Sequence, residues 1–182
     1  MEEGHAYTFE VSWGMVGWIA GSHGVARLIL PDGAPDDLRD LLVRDGARTF
    51  LDRPPELLAP LEDALHAYFD GAPIDPATLD VPLDDRGWSP LDRRVYPELR
   101  RVVRGTKVTY GELADRVGKP GAARAIGGAM GRNPVPLLVP CHRVLARGAR
   151  LGGFSAQGGV ATKRRLLELE GLVEPTLFPG MG

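Results

Sequence analysis

Thiols are almost absent from this chain. Its 182 residues hold one cysteine, Cys141. A single cysteine excludes an internal disulfide and a cysteine-built zinc site. It fits a reducing compartment, so a cytoplasmic location is expected. Long apolar runs are missing as well. No stretch approaches the roughly 20 residues that a membrane-spanning helix needs. The first residues, Met1-Glu2-Glu3-Gly4-His5, are acidic and carry no apolar core, which predicts no signal peptide. Histidine is sparse, and His5, His23 and His66 stand isolated. What is plentiful is punctuation: 24 Gly and 16 Pro predict many turns. Apolar content of 43% and charged content of 25% are ordinary for a globular protein.

The net charge of −2 hides an asymmetry. Residues 1–85 hold 5 Arg against 17 Asp and Glu, a balance of −12. Residues 86–182 hold 17 Lys and Arg against 7 Asp and Glu, a balance of +10. Such a change of sign suggests two units, the basic one facing a polyanion. The alternative is that the halves neutralise each other across an interface.

From Tyr7 to Leu30 the pattern favours strands. Tyr7, Phe9 and Val11 alternate with Thr8, Glu10 and Ser12, and turns fall at Gly21-Ser22-His23-Gly24 and Pro31-Asp32-Gly33. Asp36 to Arg44 has helical spacing. Pro54-Pro55 opens a clearer helix whose apolar face is Leu57, Leu58, Leu61, Leu65, Tyr68 and Phe69, stopped by Gly71. Leu79 to Leu83 offers a further strand. Trp13 and Trp18 read as core or interface. The turn Asp84-Asp85-Arg86-Gly87 marks the expected domain boundary, and residues 1–85 hold no catalytic constellation.

Beyond it, Ser89-Pro90 starts a helix, and Pro97 should kink it or shift its start. Thr109-Tyr110-Gly111-Glu112 matches a capping box, with Thr at N-cap and Glu at N3. That helix ends at Gly118. A second follows from Gly121 to Arg132, before Asn133-Pro134. Helix, short turn, helix is the layout of a helix-turn-helix. The second helix is built from Ala122, Ala123, Ala125, Gly127, Gly128, Ala129 and Gly131. Each interior Gly costs about 1 kcal/mol relative to Ala. Close approach to a DNA groove and tight packing on another helix account for that composition equally well. A last helix runs from Val160 to Glu170, and residues 172–182 form an irregular tail.

Cys141 lies in Pro140-Cys141-His142-Arg143-Val144. A thiol attacks as thiolate, so it needs a base, and a histidine oriented by a carboxylate serves. His142 adjoins it, and a bridging water is as plausible as direct contact. Glu170 is a carboxylate candidate because it sits at a helix C-terminus, where the dipole disfavours it unless a partner compensates. The plain alternative is a buried structural thiol. The loop Gly152-Gly153-Phe154-Ser155-Ala156-Gln157-Gly158-Gly159 is not a phosphate cradle, since it lacks the P-loop ending and the dinucleotide spacing.

These motifs, with Arg124-Ala125-Ile126-Gly127, Lys163 and Leu166-Leu167, resemble the O6-alkylguanine-DNA alkyltransferase family over residues 86–171. The resemblance implies an α/β (α+β) chain. A small N-terminal antiparallel-sheet, RNase H-like domain (1–85) would precede a mainly helical, winged-helix-like DNA-binding domain (86–171) with a helix-turn-helix. It implies direct-reversal DNA repair: irreversible, single-turnover transfer of an alkyl group from O6-alkylguanine, and from O4-alkylthymine, to Cys141. His142 would be the water-mediated base, Glu170 its polarising partner, Tyr110 the proton donor and Asn133 the brace. Arg124 would replace the flipped nucleotide in the stack. Thr109, Ala122, Ala123, Ala125 and Gly127 would meet the minor groove of double-stranded DNA. Arg132, Arg143 and Arg147 are the candidate phosphate contacts. Tyr110, Val144, Phe154, Ser155 and Lys163 would form the substrate pocket. Phe154 stands where tyrosine is common, so a hydroxyl bond is absent there. The loop after Ser155 is longer than in the shortest members. No cofactor, no metal, no membrane and a monomer are expected. Two rivals differ by sequence: a non-reacting lesion sensor would carry Trp in place of Cys141, and an operator-reading regulator would carry long polar side chains on its second helix.

Overall fold

The computed structural model describes residues 4–31, 38–148, 150–156 and 158–174. The expected turn residues Asp32-Gly33, the start of the first helix at Asp36, Gln157 and the tail beyond Glu174 lie outside them. Strands β1 (Gly4–Val11), β2 (Gly14–Gly21) and β3 (Gly24–Ile29) form an antiparallel meander. A short helix α1 (Leu38–Arg44) leads to β4 (Ala47–Phe50), which adds beside β1 in parallel, giving the order β3-β2-β1-β4. β4 was not legible in the sequence, since ARTF is short and only partly buried. The stretch from Leu79 to Leu83 is not a strand of this sheet; it meets the sheet through a bridge at Val25 and Leu83, with Val81 in the shared core. Gly24 permits that crossing: its φ is +109°, and a Cβ there would sit 2.2 Å from the Pro82 carbonyl oxygen.

β2 is one of the two interior strands, and its period-two alternation serves two cores. Val16, Trp18 and Ala20 face the main core, while Ile19 points to a small cluster with Ala6, Ile29, Leu38, Leu42 and Ala47 under α1. Gly17 lets α1 sit close, because a Cβ there would lie 3.0 Å from Leu38 and 3.1 Å from Leu42. The main core continues through Leu61, Leu65, Tyr68 and Phe69 of α2 (Ala59–Phe69) into the second half of the chain. There it takes in Val95 and Leu99 of α3 (Asp92–Arg100), Leu113 of α4 (Tyr110–Arg116), Ile126 of α5 (Ala123–Arg132) and Leu166 of α6 (Gly159–Leu169). Each such side chain contributes about 1.5–3 kcal/mol by burial. The halves are therefore joined by one apolar cluster. Polar bonds reinforce it: Arg100 donates to the carbonyls of Ala77 and Leu79 at 3.0 and 2.7 Å.

Several local expectations hold. Ser89 and Asp92 exchange side-chain to backbone bonds of 3.2 and 3.1 Å in the turn before α3, but the helix starts at Asp92, not at Pro90, and contains Pro97. The Thr109 and Glu112 capping box is complete. α4 ends where Gly118 takes φ +65°, and the Lys119 N–H reaches back to the Ala114 carbonyl at 2.9 Å. Two-residue strands β5 (Val108–Thr109) and β6 (Val144–Leu145) pair in parallel and hold the start of α4 beside the Cys141 segment. Among the described residues no helix is long and apolar enough to cross a membrane.

Candidate active site around Cys141

α5 ends at Asn133, and the chain then folds tightly through Pro134–Pro140. Leu137 adopts φ +71° although it carries a side chain, a conformation that costs about 1–3 kcal/mol. Asn133 holds the turn: its Nδ2 donates to the Val139 carbonyl at 2.7 Å, and its Oδ1 accepts from the Val135 N–H at 3.1 Å. The strained turn delivers Cys141–Arg143 as one turn of 3₁₀ helix in which all three side chains are buried.

His142 is fully buried, and its Nε2 lies 2.9 Å from Glu170 Oε1. That contact places the ring proton on Nε2 and leaves Nδ1 as an acceptor. Nδ1 is buried and has no hydrogen-bond partner among the described residues. Burial lowers the His142 pKa more than Glu170 raises it, so the imidazole is neutral at pH 7. Burial likewise raises the Cys141 thiol above its ordinary value, against opposing pulls from Asn133, the Lys163 charge and nearby backbone N–H groups. The resting thiol is protonated and needs a base. Burial alone would raise Glu170; the bond from His142 and the Arg143 guanidinium outweigh it and hold the carboxyl well below the usual carboxylate range.

Arg143 corrects an expectation. It is not at the surface where phosphates could reach it but is 0% exposed. Its Nε and Nη2 donate to Glu170 Oε2 and Oε1 at 2.9 and 2.8 Å. Nη2 and Nη1 donate to Asp75 at 2.8 and 3.2 Å, and Nη1 to the Val102 carbonyl at 2.6 Å. A guanidinium so enclosed is satisfied only by such a set of fixed acceptors. It answers the charge asymmetry at one point by pairing with an acid of the first half and an acid of the second.

A cavity of about 360 Å³ opens over Cys141, lined by Tyr110, Gly127, Met130, Gly131, Gly153, Phe154 and Ser155. Tyr110, Phe154 and Ser155 thus come together over Cys141 as expected, and Gly127, expected at the groove, lines the same cavity. Val144 and Lys163 do not join them. Both are fully buried behind the wall, where Lys163 Nζ donates to the Val144 carbonyl at 2.6 Å and the Gly153 carbonyl at 3.3 Å. Burial pushes Lys163 down to about 8. It ties the Phe154 loop to the Cys141 segment instead of lining the pocket. Tyr110 packs tightly against that loop: a Cβ on Gly152 would lie 3.3 Å from its hydroxyl.

Around the mouth, Arg124, Ala125, Gly128, Gly131 and Arg132 are exposed on α5, while Ile126, Ala129 and Met130 face the core. Ala122, Ala123 and Thr109 are half-buried beside them. A Cβ on Gly121 or Gly131 would meet nothing within 4 Å. Among the described residues no packing calls for glycine at Gly131, whereas Gly121 takes φ +80°, which favours glycine. Arg132 pairs with Asp92 at 2.8 Å, and Arg147 is exposed at the rim of a second groove with Thr109, Tyr110 and Ala123.

The fold and the site define a single-thiol centre backed by a His–Glu pair beneath a helix-turn-helix. Residues 90–172 match the family described as 6-O-methylguanine DNA methyltransferase, DNA binding domain. A methylated-DNA–protein-cysteine methyltransferase of Methanothermobacter thermautotrophicus is 37% identical over 157 residues, 86% of this chain and 80% of that one. A protein of the same name from Mycobacterium bovis is 46% identical over 108 residues, which span 59% of this chain and 62% of its own length. Among solved structures, the Mycobacterium tuberculosis OGT in complex with DNA superposes with a TM-score of 0.71 at 34% identity, covering 92% of this chain and 93% of that one. The O6-methylguanine-DNA methyltransferase of Pyrococcus kodakaraensis gives 0.64 at 32% identity, covering 92% and 99%. The chain belongs to the methylated-DNA–protein-cysteine methyltransferase family. Its one cysteine, Cys141, sits at the floor of the cavity.

Two partners of the site escaped the sequence. Tyr68 and Asp75 lie in the acidic half, and both reach the Glu170–Arg143 pair. Tyr68 read as one more apolar residue on the face of α2. No local signal shows that its hydroxyl meets a carboxylate 102 residues on.

Proposed function

We propose that this protein repairs double-stranded DNA by taking the alkyl group from O6 of guanine, and from O4 of thymine, onto Cys141. One observation carries the reading: a protonated, buried thiol at the floor of a base-sized cavity, next to a neutral imidazole whose far nitrogen is held by a carboxylate. His142 Nδ1 takes the thiol proton through a water. Sγ attacks the alkyl carbon, a C–S bond forms and the C–O6 bond breaks. Tyr110 passes a proton to the departing base ring and is reprotonated by way of the proton His142 received, so charge is conserved. The thioether product is stable, each molecule reacts once, and the damaged base itself is the donor, so no cofactor takes part.

A thiol on a cavity floor cannot reach O6 inside a stacked duplex, so the nucleotide must be extruded. The small, outward face of α5 suits close approach to a minor groove, and exposed Arg124 at its rim is placed to fill the vacated stack. Residues 86–171 would supply DNA contacts, the nucleophile and Glu170, and residues 1–85 the second acid that clamps Arg143, Asp75. Monomeric action in the cytoplasm completes the proposal. The test is intact-mass measurement after incubation with duplex containing O6-methylguanine. One methyl gained on Cys141, and none in Cys141→Ala, is expected; an unchanged wild-type mass refutes the reading.

A further inference from the structure

Glu170 has more partners than a histidine-orienting carboxylate needs. Its Oε1 accepts from three donors: His142 Nε2 at 2.9 Å, Arg143 Nη2 at 2.8 Å and the Tyr68 hydroxyl at 2.9 Å. Oε2 accepts from Arg143 Nε. A neutral phenol adds no charge to the Arg143, Asp75 and Glu170 set, so charge balance does not explain the tyrosine. Nor does burial: Phe would fill the same 0% exposed space on α2 without a hydroxyl to satisfy. The hydroxyl is directed at the very oxygen that holds the imidazole.

We propose that Tyr68 is a positioning residue for the Cys141 reaction, acting through Glu170 to set how strongly that carboxylate holds the Nε2 proton of His142. The proposal rests on His142 being the base. An oxygen that already accepts two other donors has less electron density to offer the imidazole. Remove the phenol, and Glu170 binds Nε2–H more tightly and favours the imidazolium. His142 then stays protonated to higher pH and is unable to accept the thiol proton. The charged and titratable groups facing this cluster are Arg143 from the nucleophile turn, Lys163 from α6, Arg104 beside the Tyr68 ring, Asp75 across Arg143, and Cys141 itself. Among the described residues Arg143 and Tyr68 are the ones that bond to the Glu170 side chain along with the histidine. Tyr68 stays a donor throughout, because burial and then the Glu170 charge raise its phenol well above 10.

The experiment measures the rate of Cys141 methylation by O6-methylguanine duplex from pH 5 to 9 in wild type, Tyr68→Phe and Ser12→Ala. Ser12 bonds the Phe69 carbonyl at 2.9 Å, so its loss loosens the same end of α2 without touching Glu170. In Tyr68→Phe the acid limb should move up by about half a pH unit, a roughly threefold rate loss on that limb. Ser12→Ala should not move it. Imidazole ¹⁵N and Nε2–H resonances of His142 should shift in Tyr68→Phe alone. Replacing Tyr68 by 3-fluorotyrosine, a stronger donor of nearly the same size, should move the limb down, which keeps the test open if Tyr68→Phe does not fold. An acid limb and His142 resonances unmoved by Tyr68→Phe, or by fluorotyrosine where Tyr68→Phe does not fold, would overturn the proposal, and so would the same shift in Ser12→Ala. If wild type takes no methyl, the proposed function fails, and the resonances alone decide the role of Tyr68.

Discussion

Arg143→Met is the sharpest test of how the two halves are joined. Arg143 is fully enclosed and spans Asp75 and Glu170 with four hydrogen bonds of 2.8–3.2 Å. Methionine keeps most of the volume and removes the charge. It leaves one fully buried and one nearly buried carboxylate side chain facing each other without a cation. Removing one partner of a buried ion pair costs about 3–5 kcal/mol, and here two acids are orphaned, so the upper end is expected. The pH dependence has a definite sign. Glu170 in the wild type titrates below its ordinary value, so its stabilisation is full at neutral pH and lost only as pH falls through that low value. In the variant Glu170 keeps its bonds from His142 and Tyr68 but loses the guanidinium, so its carboxyl should titrate higher than in the wild type, and its penalty is relieved when it takes up a proton. Urea unfolding should therefore show the largest deficit at pH 7 and a much smaller one near pH 4. A loss within about 0.5 kcal/mol at pH 7, typical of surface sites, would refute the clamp. A drop of about one in the salt slope of DNA binding, with stability intact, would instead return Arg143 to a phosphate.

Two further variants probe the DNA-facing side. Arg124→Ala should lower the repair rate on duplex far more than on free O6-methylguanine base; equal losses on both would remove Arg124 from the extrusion step. Thr109→Ala removes the N-cap bond of 3.2 Å to Glu112 N–H and should cost about 1 kcal/mol in thermal unfolding, with little change in the rate on free base. A larger loss on free base than on duplex would contradict its placement at the groove.

How much of this was legible beforehand depends on the range of each interaction. Caps, helix stops and the helix-turn-helix were readable because their partners lie within a few residues, as with Thr109 and Glu112 or Gly118 and Ala114. Glu170 was found because its position at a helix end posed a local electrostatic problem; the structure supplies the imidazole, a guanidinium and a phenol as the solution. β4 was missed because a four-residue edge strand carries too little periodicity. Lys163 and Val144 were placed in the pocket, yet both are packed behind its wall.

The sequence by itself determined the lone thiol, the histidine beside it, the carboxylate at a helix end and the small-residue helix, since each is a matter of residue type at a given spacing. Only the tertiary structure decided which way side chains turn. Arg143 follows Cys141 and His142 in a basic half, and nothing in its neighbours distinguishes a surface cation from a buried one. Folding placed it between Asp75 and Glu170, 68 and 27 residues away. A buried charge must find fixed opposite charges, and those are chosen by the packing of the whole chain, not by the order of residues along it.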